Sequence, residues 1–202
     1  FNGTSWLPLA TDSGPPAGTS INSGALYIPG QVPSQNAFWV IPTSGNLIYK
    51  YSISGDSWTS KDIGSGKLKY GGSAAYSTTD NNIYLFGFGV PEGSSNEIYK
   101  FDPTTENLTI LPVKIPTAIL HAGAISIDNE IWLLDGFSGT NNNCMGTPIK
   151  FFQIFNVTTQ TFRFSDRLYQ GVAGWNRWTF NPSLNKYLIT KALPLTAEAH
   201  PA

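Results

Sequence analysis

The sequence predicts an all-β protein built from four-stranded antiparallel sheets, and three observations carry this prediction. Short apolar runs alternate with turn-rich segments, and no long run shows the 3.6-residue period of a helix. The 20 glycines and 14 prolines are scattered along the chain, as many turns require. A four-strand pattern also recurs about every 50 residues, which is typical of repeat architectures.

The clearest repeat unit runs from Leu120 to Phe162. The dipeptide Asp128-Asn129 separates its first two strands, and a polar loop precedes the third. Turn residues of this kind between short apolar runs are typical of hairpins. The predicted strands are His121–Ile127, Glu130–Asp135, Ile149–Phe155 and Thr161–Phe164.

The same plan is found on both sides of this unit. The first unit has runs at Ser23–Ile28, Ala37–Ile41 and Leu47–Ile53, with Trp58 opening a fourth strand. The second has Ser73–Ser77, Ile83–Gly87 and Glu97–Phe101, followed by Leu108. The last quarter supplies one hairpin, Trp175–Phe180 with Lys186–Thr190.

The period can be counted from pairs formed by an aromatic residue that ends a third strand and an apolar residue that opens the fourth. These pairs are Phe1/Trp6, Tyr51/Trp58, Phe101/Leu108 and Phe155/Phe162, and their second members are 52, 50 and 54 residues apart. A single four-stranded sheet has two apolar faces and buries neither alone. Packing such sheets face to face around an axis buries both, so we expect a β-propeller of about four units. We also expect the ring of Trp58 to be buried.

These repeats resemble kelch repeats. The features that match are Tyr51 seven residues before Trp58, the glycines Gly87 and Gly89, and Asp135-Gly136 with Gly139. The double glycine of the family is interrupted by Phe88, and Leu108 and Phe162 stand where the family has tryptophan.

The resemblance implies a ring that commonly has five to seven blades, so we expect a partial or circularly permuted ring. We treat 1–202 as one domain. The expected blade boundaries are 1–19, 20–64, 68–114, 118–166 and 172–202.

Composition excludes several classes of protein. Hydrophobic residues make up 41% of the chain and aromatic residues 13%, which is enough for a core. The net charge is −1 and no basic stripe occurs, which argues against a nucleic-acid partner. No apolar run is long enough to predict a membrane span. The single cysteine, Cys144, excludes an intrachain disulfide, and its role stays open.

Three Asn-X-Ser/Thr sequons suggest where the protein resides. They begin at Asn2, Asn107 and Asn156, and each falls at the turn predicted between a third and a fourth strand. A glycan is tolerated at such an exposed turn. We therefore expect an extracellular or cell-surface glycoprotein, although these turns favour Asn and Thr for conformational reasons as well.

Candidate ligand residues lie in the loops after the second strands, which gather at one end of a propeller. The polar candidates there are Asp135, Asn141, Asn142 and Asn143, whose oxygens and amides suit sugar hydroxyls or a peptide backbone. The aromatic candidates are Phe88, Phe137 and Trp175. The alternative is that these loops are merely solvated and that most aromatic residues pack between sheets.

Catalytic residues are few. The two histidines are His121, at the start of a strand, and His200, in the C-terminal tail. Metal ligation needs three or four converging ligands, and their spacing does not supply them, so we expect no metal and no cofactor. Asp135 alone does not make the carboxylate pair of a glycosidase. We expect no catalytic residue on this chain.

Three functional hypotheses follow. The first is a non-enzymatic binding or scaffold module whose loops contact a protein partner. The second is a carbohydrate-binding, lectin-like propeller that uses loop aromatics and asparagines. The third is a fragment of a secreted kelch-type enzyme whose catalytic residues lie on further blades or chains.

Overall fold

The structure, a computed structural model, contains only β secondary structure and connecting segments in its described part. It describes residues 14–16, 21–30, 35–42, 45–65, 67, 71–88, 95–134, 136–139, 147–165, 177–181 and 186–190. These ranges contain sixteen β-strands and no α-helix. Nothing in them is a helix of the length and apolarity needed to cross a membrane.

Three four-stranded antiparallel sheets follow one another along the chain. The first consists of β1 (Ile21–Ile28), β2 (Ala37–Pro42), β3 (Leu47–Ser52) and β4 (Ser57–Asp62). The second consists of β5 (Ser73–Ser77), β6 (Asn82–Phe86), β7 (Ile98–Asp102) and β8 (Asn107–Ile110). In both, spatial order equals chain order, as in a meander.

The third sheet carries an insertion. β9 (Gly123–Ile127) and β10 (Glu130–Leu134) are followed by a small ribbon, β11 (Phe137–Ser138) with β12 (Thr147–Pro148). β13 (Gln153–Asn156) and β14 (Thr161–Phe164) then complete the sheet. A last hairpin pairs β15 (Arg177–Asn181) with β16 (Lys186–Thr190).

Of the four pairs that defined the sequence period, Phe1/Trp6 lies outside the described residues. The other three pairs are direct cross-strand partners. Their registers are Tyr51 with Trp58, Phe101 with Leu108, and Phe155 with Phe162. The turn between the two members of each pair has a non-glycine residue with positive φ five positions after the aromatic: Asp56 at 41°, Glu106 at 56° and Gln160 at 52°. The sequence period is therefore a repeat of register and of turn geometry.

The sheets adjoin through their first strands. β5 lies against β1 and β9, and β15 lies against β9. Most side chains of the fourth strands β4, β8 and β14 are exposed. First strands therefore lie inside the assembly of sheets and fourth strands at its outer edge.

The core lies between consecutive sheets, and the second sheet supplies side chains to both of its faces. Ile83 and Leu85 of β6 join a buried cluster shared with the first sheet. Tyr84 and Phe86 join another shared with the third. This alternation follows from the two-residue period of a strand. Each such buried side chain contributes about 1.5–3 kcal/mol by the hydrophobic effect.

The position of Trp58 differs from the expectation. Its ring lies 5.1 Å from the ring of Tyr51, but the side chain is only half-buried. The reason is that β4 is the outermost strand of its sheet, so no described strand covers it on its far side.

Candidate functional site

The loop end predicted as a ligand face is described only in part. Asp135, Asn141, Asn142, Asn143 and Trp175 lie outside the described residues, as do Cys144 and His200. Phe88 and Phe137 are described. The interpretation of that face therefore depends on these two aromatic residues.

Phe88 lies in the core, which corrects its prediction as a loop aromatic. Its side chain is 0% exposed, and its ring occupies the space where a Cβ on Gly72 would lie. The hydroxyl of Ser95 donates a hydrogen bond of 2.8 Å to the carbonyl of Phe88. A ring held in this way cannot stack on a sugar from solvent.

Phe137 is half-buried and its backbone is paired. Its N–H donates to the carbonyl of Leu120 at 2.9 Å, and its own carbonyl accepts from the N–H of Leu120 at 2.9 Å. The neighbouring Ile119 makes two more backbone bonds, of 3.1 and 2.9 Å, with Ser95. Ile119 and Leu120 therefore connect two loops: the loop after β6, which contains Ser95, and the segment after β10, which contains Phe137.

Two of the three sequons lie at the turns where they were predicted. Asn107 is the exposed first residue of β8, and Asn156 is the half-buried last residue of β13. The Asn156 side-chain oxygen accepts hydrogen bonds from the N–H groups of Thr158 (3.0 Å) and Thr159 (2.9 Å), which shapes the turn. Asn2 lies outside the described residues.

His121 has a structural setting. Its backbone has a φ of 56°, and its N–H donates to the carbonyl of Gly71 at 2.7 Å. Burial lowers the pKa of the His121 imidazole. Within the described ranges, no three His, Cys, Asp or Glu side chains form a group that could hold a metal ion. The absence of a metal and of a cofactor stays a prediction for the chain as a whole.

A compact polar cluster lies on the second sheet. The buried Tyr84 hydroxyl donates to Asp80 Oδ2 at 2.8 Å, and Lys100 Nζ lies 2.9 Å from the same oxygen. The Lys100 ammonium also lies 5.9 Å from the centre of the Tyr84 ring. Burial, followed by the hydrogen bond to Asp80, raises the pKa of Tyr84 far above its ordinary value. The phenol is therefore a neutral hydrogen-bond donor at physiological pH.

The third sheet has a similar cluster built from different residues. The indole N–H of Trp132 donates to Glu130 Oε2 at 3.1 Å, and the Arg163 guanidinium lies 5.6 Å from the Trp132 ring. Arg163 also makes a two-pronged contact with the Glu130 carboxylate, at 3.0 and 2.8 Å. The hydrogen bond from Arg163 lowers the pKa of Glu130. This carboxylate is ionised and fully engaged.

An open cleft of about 450 Å³ lies between the first and second sheets. It is at the end of the sheets where first strands turn into second strands, opposite the predicted loop face. Its floor is the nearly fully buried Trp39, whose ring lies 5.2 Å from Phe101 of the second sheet. The rest of the lining is mixed. Its polar residues are Gln35, Lys50, Tyr76, Asn81 and Thr104, and its apolar residues are Ile28, Pro29, Ala37 and Pro103.

Lys50 is the cation of the cleft. Its ammonium lies 5.3 Å from the centre of the Trp39 ring, an arrangement that stabilises the charge electrostatically. The Tyr76 hydroxyl donates to Asn81 Oδ1 at 2.9 Å, which fixes the opposite wall. A cleft of this size, with an aromatic floor and a few fixed polar groups, has the features of a ligand site.

Sequence reasoning missed this cleft, because three separate turns build it. One sequence signal pointed to it: the connection between Ile28 and Ala37 is longer than the turn between Ser77 and Asn82 of the second sheet.

Comparison with known proteins shows the fold alone. The solved structure of YjhT is similar over 79% of this chain, with a TM-score of 0.60 and 12% sequence identity. This chain covers 56% of the YjhT chain, so it spans just over half the length of that protein. Neither the protein-family models nor the curated proteins contain a match to this sequence.

Proposed function

We propose that this chain is a non-enzymatic binding module that contacts a protein partner on a propeller-like scaffold. The observation that carries the proposal is the cleft between the first and second sheets, whose floor is buried and whose rim is polar. A buried aromatic anchor surrounded by fixed polar groups suits the recognition of an extended polypeptide segment.

The scaffold supports this function because the cleft lies directly on a packed core. Trp39 and Phe101 belong to one buried cluster shared by the two sheets. The first strands adjoin from sheet to sheet, as they do around the axis of a propeller. The kelch-like spacing of the aromatic pairs is consistent with such a ring, which further blades would complete.

An extracellular location is part of the proposal. The exposed Asn107 supports it, since an exposed side chain on the outer strand of the second sheet can carry a glycan. Low overall charge is compatible with this location but does not require it.

The proposal is tested by affinity capture with the full chain from an extracellular protein extract, followed by crosslinking. We expect a reproducible partner whose crosslinks map to the turns that line the cleft. A matched variant, Thr104→Trp, adds bulk at an exposed position that lines the cleft and should abolish capture while thermal unfolding is unchanged. Capture that survives this variant would remove the cleft from the proposed function.

A carbohydrate-binding function has one specific observation in its favour. Tyr27 and Phe38 are 48% and 37% exposed, and their rings lie 5.5 Å apart on the first sheet. Exposed paired aromatics can stack on sugar rings. A glycan array probed with wild type and with Phe38→Ala tests this alternative. Glycans that wild type binds and Phe38→Ala does not would establish it.

A further inference from the structure

The three sheets share an arrangement of an aromatic ring and a cation. The aromatic is the central residue of the second strand: Trp39 in β2, Tyr84 in β6 and Trp132 in β10. Their cross-strand partners on the third strands, Lys50, Lys100 and Ile154, show that the three positions are equivalent. A cation lies 5.3–5.9 Å from each ring, and these cations are Lys50, Lys100 and Arg163.

In two of the sheets a carboxylate completes the arrangement. Asp80 accepts from both Tyr84 and Lys100 in the second sheet. Glu130 accepts from both Trp132 and Arg163 in the third. The carboxylate neutralises the cation and makes charge-assisted hydrogen bonds, which are stronger than neutral ones.

The first sheet has the ring and the cation without the carboxylate. No Asp or Glu occurs between Asp12 and Asp56, a segment that includes β1, β2 and β3. Gln35 stands four residues before Trp39, as Asp80 stands four before Tyr84. Among the described carboxylates none forms an ion pair with Lys50.

In the first sheet, the position equivalent to Asp80 and Glu130 opens into the cleft. Gln35, Trp39 and Lys50 all line it. Asp80 is close to its far wall in sequence, beside Asn81, but Lys100 already neutralises that carboxylate. Lys50 is therefore a positive charge of the cleft that the described residues leave uncompensated.

We propose that the cleft binds an Asp or Glu side chain of a protein partner, which pairs with Lys50 as Asp80 pairs with Lys100. This inference rests on the proposed protein-binding function and names the chemistry of the partner segment. Polypeptide carboxylates already fill the equivalent positions of the other two sheets, so the partner would supply the same group from outside.

The experiment is a selection of linear peptides on the immobilised full chain, with four proteins in parallel. These are wild type, Lys50→Gln, Gln35→Asp, and Lys61→Gln as a control. Lys61 is a lysine of the same sheet that lies outside the cleft and pairs with Glu106 at 3.9 Å. Thermal unfolding of each variant establishes that it is folded.

We expect wild type and Lys61→Gln to enrich peptides rich in Asp and Glu. Lys50→Gln should bind the best of them at least about tenfold more weakly. Gln35→Asp should do the same while unfolding at a higher temperature than wild type, because its own carboxylate neutralises Lys50. A peptide with Gln in place of Glu should lose binding to wild type to the same extent.

Two outcomes overturn the inference and are distinguishable. Peptides that bind without acidic preference, or that bind Lys50→Gln unchanged, would leave the protein-binding function standing and remove the carboxylate. If no peptide binds while glucuronate perturbs the Lys50 signals in an NMR titration, the carboxylate comes from a small molecule and the proposed protein-binding function fails.

Discussion

The side-chain amide of Gln153 holds both backbone polar groups of Thr117, which lies 36 residues earlier in the chain. The Gln153 oxygen accepts from the Thr117 N–H at 2.8 Å, and its nitrogen donates to the Thr117 carbonyl at 2.9 Å. Gln153 is 1% exposed, so neither bond is replaced by bulk water if the amide is removed. The contact fixes the connection between the second and third sheets onto β13.

Replacing this amide should therefore be costly. Gln153→Met keeps the volume but leaves the Thr117 N–H and carbonyl without their partner. We expect a loss of about 1–3 kcal/mol in the free energy of unfolding, measured by urea denaturation. Gln160→Met, a change of the same kind in a surface turn, serves as the control and should be close to neutral. Equal losses in the two variants would show that the hydrogen bonds between Gln153 and Thr117 do not contribute specifically to stability.

The cross-strand aromatic pairs should differ in how much they contribute to the free energy of unfolding. Phe101 is 0% exposed and lies between two sheets, so Phe101→Ala should lose about 3–5 kcal/mol. Trp58 is half-buried on an outer strand, and Trp58→Ala should lose about half as much. Chemical denaturation of both variants tests the order. A larger loss for Trp58→Ala would show that the outer strand is covered.

The positive φ of Gln160 offers a stabilising substitution. A residue with a side chain at φ 52° is strained relative to glycine, so Gln160→Gly should stabilise the fold by about 0.5–1 kcal/mol. Thr159→Gly in the same turn is the matched control. It should destabilise, because Thr159 adopts an ordinary φ and its hydroxyl hydrogen-bonds to the Thr161 hydroxyl at 2.7 Å, a contact that glycine loses. Stabilisation by both variants would point to a general effect of turn flexibility instead.

Stability should fall at alkaline pH. Burial raises the pKa of Tyr84, Tyr76 and Tyr99 in the folded chain above the unfolded value of about 10. As the pH rises through that value, the unfolded chain loses phenolic protons that the folded chain retains. The stabilisation is complete below about pH 10 and is lost above it.

The measurement is the melting temperature from about pH 8.5 to 11. Tyr84→Phe removes one of the shifted groups, so its curve should fall less steeply than that of wild type, even if it starts lower. Tyr27→Phe, at an exposed position, is the control and should follow the wild-type slope. A Tyr84→Phe curve parallel to wild type would contradict the assignment.

The sequons predict a glycan at Asn107. When the protein is secreted from a eukaryotic host, we expect the intact mass to include a glycan that Asn107→Gln removes. Thr109→Val, which destroys the same sequon while keeping Asn107, should have the same effect. An unmodified Asn107 in the secreted protein would remove the main support for the extracellular location.

The repeat could be predicted from the sequence because it depends on local chemistry. Tyr51 and Trp58 are separated by a four-residue turn, so their seven-residue spacing fixes their register. The turn residues of the equivalent pairs, such as Asp102 and Asn156, bond to their own backbone neighbours. Local spacing thus determined which residues pair and where the strands turn.

The sequence could not predict which side chains are buried or where the cleft lies. Both depend on which distant segments of the chain pack against a residue. Phe88 follows a strand, as a loop residue does, but Gly72 leaves space that its ring fills. Lys50 resembles any lysine that alternates with tyrosines in a strand. Its importance emerges only when Lys100 is seen beside Asp80 and the first sheet is seen without an equivalent acid.

The contacts between first strands determine which parts of the protein must open together. β5 lies against β1 on one side and β9 on the other, whereas β8, among the described strands, pairs with β7 alone. Amide hydrogens of β5 should exchange with solvent only when neighbouring modules also open, and those of β8 should exchange through fraying of one edge. A destabilising substitution in β5 should therefore loosen all three sheets, whereas one in β8 should loosen the second sheet alone.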